Sequence, residues 1–158
     1  MRIIVYSDTH GSFSAHAKIF ERNQDADGFI FLGDGERELD KIKTLYPDKT
    51  VLNVAGNCDY CSMSPNSDIY MANDVKLLFT HGHSWGVKFS LDRLYYKAKE
   101  IGAKIVLFGH THCRYYSYED GVYILNPGSA SLPRDGKPKC YAFIDITDKG
   151  IMCSHVDL

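Results

Sequence analysis

Five short apolar runs constrain this chain more than any other feature: RIIVYS at 2–7, FIFL at 29–32, TVLNVA at 50–55, VKLLFT at 75–80 and KIVLF at 104–108. Each is rich in β-branched or aromatic residues and is followed closely by Gly, Asp, Asn or His. Runs this short predict strands rather than helices, and their near-continuous apolarity predicts burial on both faces, as in the central strands of an α/β protein. Residues 122–126, 140–146 and 150–157 predict three further strands, with turns at Asp120-Gly121 and Lys149-Gly150.

Helical patterns lie between the strands. Residues 14–23 and 36–46 predict short helices, the second with Leu39, Ile42, Leu45 and Tyr46 on one stripe. The strongest periodicity spans 86–101, where Val87, Leu91, Leu94, Ala98 and Ile101 share a face and Gly102 stands at the stop position. Strands alternating with helices, then a strand-rich end, predict an α/β sandwich of two packed sheets. Residues 60–74 are the least regular stretch and predict a surface connector. With 158 residues and neither repeat nor linker, the chain is expected to form one domain, 1–158.

The chemistry gathers where the five runs stop. Asp8-Thr9-His10 follows the first, Gly33-Asp34 the second, Gly56-Asn57 the third, His81-Gly82-His83 the fourth and Gly109-His110-Thr111-His112 the fifth. Ligands of α/β sheets bind beyond the carboxyl ends of strands, so these residues are expected on one rim. In extended chain, residues i and i+2 point the same way, so Asp8 can share an ion with His10, and His110 with His112. Any one of these residues alone reads as a turn or cap; the signal is five suitable strand ends together. Asp8, His10, Asp34, Asn57, His81, His110 and His112 are therefore the candidate metal ligands. Seven are too many for one small ion but suit two divalent ions that share a carboxylate. A set of imidazoles, carboxylates and an amide suits manganese, iron, zinc or nickel better than calcium.

This ordered set resembles the calcineurin-like metallophosphoesterase superfamily, and within it the small YfcE-like phosphodiesterase group. Asn126-Pro127-Gly128-Ser129, Pro133-Arg134 and Gly86-Val87-Lys88 are also similar to that group. The resemblance implies a four-layer α/β/β/α sandwich. It implies that Asp8, His10 and His112 hold one ion, that Asn57, His81 and His110 hold the other, and that Asp34 bridges them. It further implies frequent manganese dependence and hydrolysis of a phosphoester by a hydroxide between the metals. Many members carry histidine after the Gly-Asn pair, where it protonates the leaving group; here Cys58 stands there. A thiol with an ordinary pKa near 8.5 is a poorer acid at neutral pH than an imidazole near 6.5. His83 shares the side of His81 and is expected to act on substrate or to support the ligands. The candidate catalytic residues are thus Asp34, Asn57, Cys58 and His83. The amides of Gly11 and Ser12, at a helix start, are expected to favour an anion.

Other features carry less. Cys58 and Cys61 form a C-x-x-C pair without a second one, so redox chemistry or structural zinc is the minor reading. His16 and His155 have no visible partner and read as structural. Tyr115, Tyr116, Tyr118 and Tyr123 read first as hairpin packing and second as a stacking surface. Arg134 reads equally as a phosphate contact or a solvated charge. A net charge of −2 gives no broad basic surface, so no stable nucleic-acid complex is expected, although a nucleotide remains open among small phosphoester substrates. The absence of a signal-like segment or of about 18 successive apolar residues predicts a cytoplasmic protein without membrane contact. Five cysteines, an odd number, argue against a secreted disulfide framework. A phosphomonoesterase or protein phosphatase on the same fold, and a non-catalytic scaffold like the retromer subunit, stay open as rivals; oligomeric state is open too.

Overall fold

A computed structural model describes all residues, 1–158. Strands β1 (Arg2–Tyr6), β2 (Gly28–Phe31) and β3 (Thr50–Asn53) run parallel, with Ile3 opposite Gly28 and Gly28 opposite Thr50. Helices α1 (Phe13–Arg22) and α2 (Glu36–Leu45) connect them. The antiparallel pair β9 (Cys140–Thr147) and β10 (Gly150–Asp157) completes the first sheet, in the order β10-β9-β1-β2-β3. The second sheet has the order β4-β5-β6-β8-β7, from β4 (Ser67–Ala72), β5 (Val75–Thr80), β6 (Ile105–Leu107), β7 (Arg114–Glu119) and β8 (Val122–Pro127). Helix α3 (Asp92–Ile101) links β5 to β6.

Strand alternation divides the core into three layers of contact. Ile3, Val5, Ile30 and Leu32 meet Leu77, Phe79, Ile105 and Leu107 between the sheets. Their neighbours Ile4, Tyr6, Phe29 and Phe31 point the other way, onto Ile19 and Phe20 of α1 and Leu39 and Ile42 of α2. On the far side Leu78 and Val106 meet Leu94 and Ala98 of α3. The result is the α/β/β/α sandwich, with both faces of the central strands covered, which is why their sequences show no polar alternation.

Two local expectations need correction. Residues 60–74 are not all connector: 67–72 form β4, an edge strand paired antiparallel to β5. Its outer position leaves Ile69 and Met71 exposed, so no one-sided apolar pattern marks it. The helix expected over 86–101 begins only at Asp92, after a 3₁₀ turn at His83–Trp85. Gly86 adopts φ 71°, and its carbonyl accepts from Phe89 and Ser90 in a turn, while Val87 is buried against Gly82. The apolar periodicity there reflects a packed turn. The tyrosines follow the hairpin reading, with Tyr118 and Tyr123 rings 4.5 Å apart across β7 and β8.

The layer between the sheets sets stability. Leu107→Ala, at a fully buried position, is expected to cost about 2–5 kcal/mol by urea denaturation. Leu45→Ala, where the side chain is 62% exposed, is expected to stay within about 0.5 kcal/mol of the parent.

Candidate metal centre

The parallel strands of both sheets end on one rim and set the candidate ligands there. His10 N donates to Asp34 O at 2.8 Å and Asp8 N to Gly33 O at 3.0 Å, tying the β1 and β2 loops together. Gly109 N donates to His81 O at 3.0 Å, tying β5 to β6. The sheets are joined where His110 N donates to Asp8 Oδ2 at 3.1 Å and the His81 ring meets Leu32 O.

Asp8, His10, Asp34, His110 and His112 all have positive φ, between 45° and 66°. That left-handed backbone is unusual for residues other than glycine and costs of order 1–3 kcal/mol each, less for Asp. The glycines make close approach feasible: a Cβ on Gly56 would overlap Asp34, and one on Gly109 would overlap Ser7.

The ring orientations define the chemistry. His112 Nδ1 lies 2.6 Å from Leu132 O, and His81 Nδ1 lies 2.7 Å from Leu32 O. A carbonyl accepts only, so in each neutral ring Nδ1 holds the proton and Nε2 presents a lone pair. His112 Nε2 then faces Asp8 Oδ1 at 3.2 Å and His10 Nε2 at 3.0 Å. His81 Nε2 faces Asn57 Oδ1 at 3.1 Å and Asp34 Oδ2 at 3.6 Å. Asp34 Oδ2 is also 3.7 Å from His10 Nε2, which places this carboxylate between the two groups. Asp8 Oδ1 is buried without a hydrogen-bond partner. Acceptors that converge in this way repel one another unless a proton or a cation lies among them, and this donor set fits divalent metals.

Asp8, His10 and His112 thus form one cluster, and Asp34 and His81 approach Asp8 in a second. His110 is placed less directly: its ring centroid is 5.1 Å from that of His81. Burial, then repulsion from His81 and Lys88, pushes the His110 pKa down to about 4, so it is neutral at physiological pH. Burial alone would depress His112 and raise Asp8, but their mutual contact reverses both, raising His112 and lowering Asp8. The site favours positive charge.

Cys58 is exposed, and its backbone N donates to Asp34 Oδ1 at 2.8 Å. Desolvation, then the Asp34 carboxylate, pushes its thiol up to about 11. Its sulfur approaches His10 and Asp34, whereas Cys61 joins no such group. His83 is half-buried, its ring 5.4 Å from His81 and 6.2 Å from His110, with Nδ1 unpartnered. Arg134 is exposed; its backbone N donates to His112 O at 2.9 Å. The anion site expected at Gly11 and Ser12 is reduced, because Ser12 N donates to Thr9 O at 2.9 Å. A cleft of about 780 Å³ opens beside His10, Asp34 and Cys58, between the start of α2 and residues 58–64.

Residues 1–149 match the Calcineurin-like phosphoesterase superfamily domain. The chain belongs to that superfamily. A Bacillus subtilis (strain 168) relative, Probable metallophosphoesterase YsnB, is 34% identical over 92% of this chain and 85% of its own length. Phosphodiesterase YfcE of Escherichia coli (strain K12) is 26% identical, over 92% of this chain and 88% of its own. A solved Streptococcus pneumoniae TIGR4 protein, described as a predicted phosphoesterase, shares 30% identity with TM-score 0.87, over 99% and 88% of the two chains. Vps29 of Entamoeba histolytica complexed with zinc shares the fold, at 20% identity and TM-score 0.74 over 99% of each chain.

Sequence reasoning gave several supports of this superfamily site no role. Ser129 and Ser131 hydroxyls donate to Asp8 O at 2.7 and 2.9 Å, and Asn126 Nδ2 donates to Gly109 O at 2.9 Å. Asp59 is the most connected: its carboxylate accepts from the amides of Asp34, Gly35, Glu36 and Gly56 at 2.7–2.9 Å. It clamps the Asp34 and Asn57 loops and caps α2, whose own N-cap residue is Gly35. Burial opposes ionisation of Asp59, but these four amides hold its pKa below the ordinary carboxylate value. A lowered folded pKa gives stability that is present above the unfolded value near 3.9 and lost as pH falls through the folded one. Asp59→Asn is therefore expected to lower the denaturation midpoint at pH 7. The gap from the parent should shrink steadily between about pH 4 and the acid limit of folding.

Proposed function

We propose that the chain is a cytoplasmic two-metal phosphodiesterase acting on small phosphoesters. The observation that carries this reading is the set of Nε2 lone pairs, fixed by backbone carbonyls, that face Asp8 and Asp34. Asp8, His10 and His112 would hold one ion and Asn57, His81 and His110 the other, with Asp34 between them. When bound, the ions supply Lewis acidity and lower the pKa of a water from 15.7 towards about 7. Manganese suits these donors, as do iron, zinc and nickel. The likeness to a named phosphodiesterase, 26% identical over most of both chains, favours diesters over monoesters. The Vps29 likeness concerns the fold alone, and a scaffold has no use for lone pairs gathered in a buried cluster.

The remaining work falls to the chain. Asn57 and His83 would stabilise the negative charge added at a bound phosphoryl group, His83 by donating a ring N–H. Asp8 and Asp34 set the charge of the floor. Cys58 keeps its proton at neutral pH, and a thiol near 11 is a weak acid towards a departing alkoxide. Departure then depends on the leaving group's own stability.

Elemental analysis of metal-replete protein is expected to give two divalent ions per chain; one or none defeats the proposal. Asp34→Asn should weaken both sites and His10→Ala mainly one. A chelator should abolish hydrolysis, and an undiminished rate in chelated protein would overturn the metal reading.

Nitrophenyl diesters should be cleaved much faster than alkyl diesters. Cys58→His should then improve alkyl esters more than nitrophenyl esters, by up to the 10²–10⁴-fold typical of general acid catalysis. Cys58→Ser should leave nitrophenyl diester hydrolysis nearly intact. A loss of several hundred-fold with both metals bound would make Cys58 a direct catalyst instead.

A further inference from the structure

Beneath the metal-facing side chains lies a buried polar chain that none of these roles uses. His16, on the first half of α1, is fully buried against β1 and β2, with its ring 5.0 Å from Phe31 and 5.4 Å from Tyr6. Its Nδ1 lies 3.1 Å from Tyr6 Oη and its Nε2 lies 2.8 Å from Thr9 Oγ1. Thr9 Oγ1 in turn donates to Asp34 O at 3.4 Å. Tyr6, Thr9 and His16 are all shielded from solvent, so water cannot replace a missing partner. Thr9 sits between Asp8 and His10, which both hold left-handed backbone, and its hydroxyl reaches the carbonyl of Asp34, which does too. A Cβ on Gly35 would overlap that hydroxyl, so the approach of the two loops is set at Thr9.

We infer that His16 is a positioning residue for the metal centre: through Thr9 it fixes the spacing between the Asp8–His10 loop and the Asp34 loop. The proton directions follow from the partners. Thr9 has one hydroxyl proton; with that proton on Asp34 O, it accepts from His16 Nε2–H, and His16 Nδ1 accepts from Tyr6 O–H. The three bonds form one directed chain from the hydrophobic layer under α1 to the carbonyl of the shared carboxylate residue. Such outer partners typically govern 10–100-fold in metal affinity. The inference rests on the two-metal reading and adds a residue to it that touches neither ion nor substrate.

The test measures manganese affinity by competition with a chelating dye, beside the thermal midpoint of the chelated protein. His16→Phe keeps the ring volume and breaks the chain; Thr9→Val keeps the shape and removes the hydroxyl. Each is expected to weaken binding about 10-fold or more, and the double variant should be no weaker than the worse single one, because both break one path. His16→Gln, which restores an N–H donor at similar reach, should recover most of the loss. Tyr6→Phe removes one hydroxyl alone and is expected to give a smaller loss with the fold intact. Unchanged affinity in both Tyr6→Phe and His16→Phe, or strictly additive losses with no recovery in His16→Gln, overturns the inference. A parent protein that binds no manganese overturns the two-metal reading instead.

Discussion

Electrostatic repulsion among buried lone pairs is the constraint around which this structure is built. Carboxylate oxygens and imidazole nitrogens within about 3–4 Å of one another, shielded from water, raise the energy of the fold unless a positive charge lies between them. Carbonyl oxygens of Leu32 and Leu132 intensify the problem, because they hold the His81 and His112 protons on the far side of each ring. The His81 ring cannot relax by turning, since that would leave the buried Leu32 carbonyl without this partner. A rim so fixed selects for a cation, and the cation in turn supplies the charge that a phosphoester requires.

Holding that rim in place is the task of the second tier of contacts. Asp59 gathers four amides from two loops, Ser129 and Ser131 pin the Asp8 carbonyl, and Asn126 holds the loop between His110 and His112. Each is a polar group with at least one partner on another strand connection. The two sheets therefore meet at the rim through hydrogen bonds, while elsewhere they meet through Val5, Leu32, Phe79 and Leu107. Packing brings the sheets together to within side-chain tolerance; the polar tier sets the last few tenths of an ångström on which metal geometry depends.

The sequence makes some of this plain and hides the rest for physical reasons. Buried central strands such as RIIVY and VKLLF announce themselves because both faces are apolar, and their stops mark the candidate ligands because glycine and a donor recur together. Edge strands β4 and β7 show no such pattern: Ile69, Met71, Tyr116 and Tyr118 are exposed apolar residues on strands with only one neighbour. The start of α3 was obscured because Val87 is buried from a turn, which mimics helical periodicity. Asp59 was visible beside Asn57 but its role was not, because three of its four amide partners lie 23–25 residues away. For His16 the partners are near in sequence, but nothing in residues 6–16 marks which way a helical side chain will face.

The backbone strain at the rim bears on what kind of protein this is. Five of the seven candidate ligands occupy the left-handed region. At about 1–3 kcal/mol apiece, this is comparable with the entire net stability of an ordinary domain, about 5–15 kcal/mol. Conformations so costly persist only where the surroundings over-determine them, and here glycines, hydroxyls and the half-buried Asp59 carboxylate all act on the rim loops. The strain accompanies the gathering of Asp8, His10, Asp34 and His112 at one rim. Such left-handed loops stand at three strand ends of a chain that belongs to the calcineurin-like phosphoesterase superfamily, whose fold Vps29 shares.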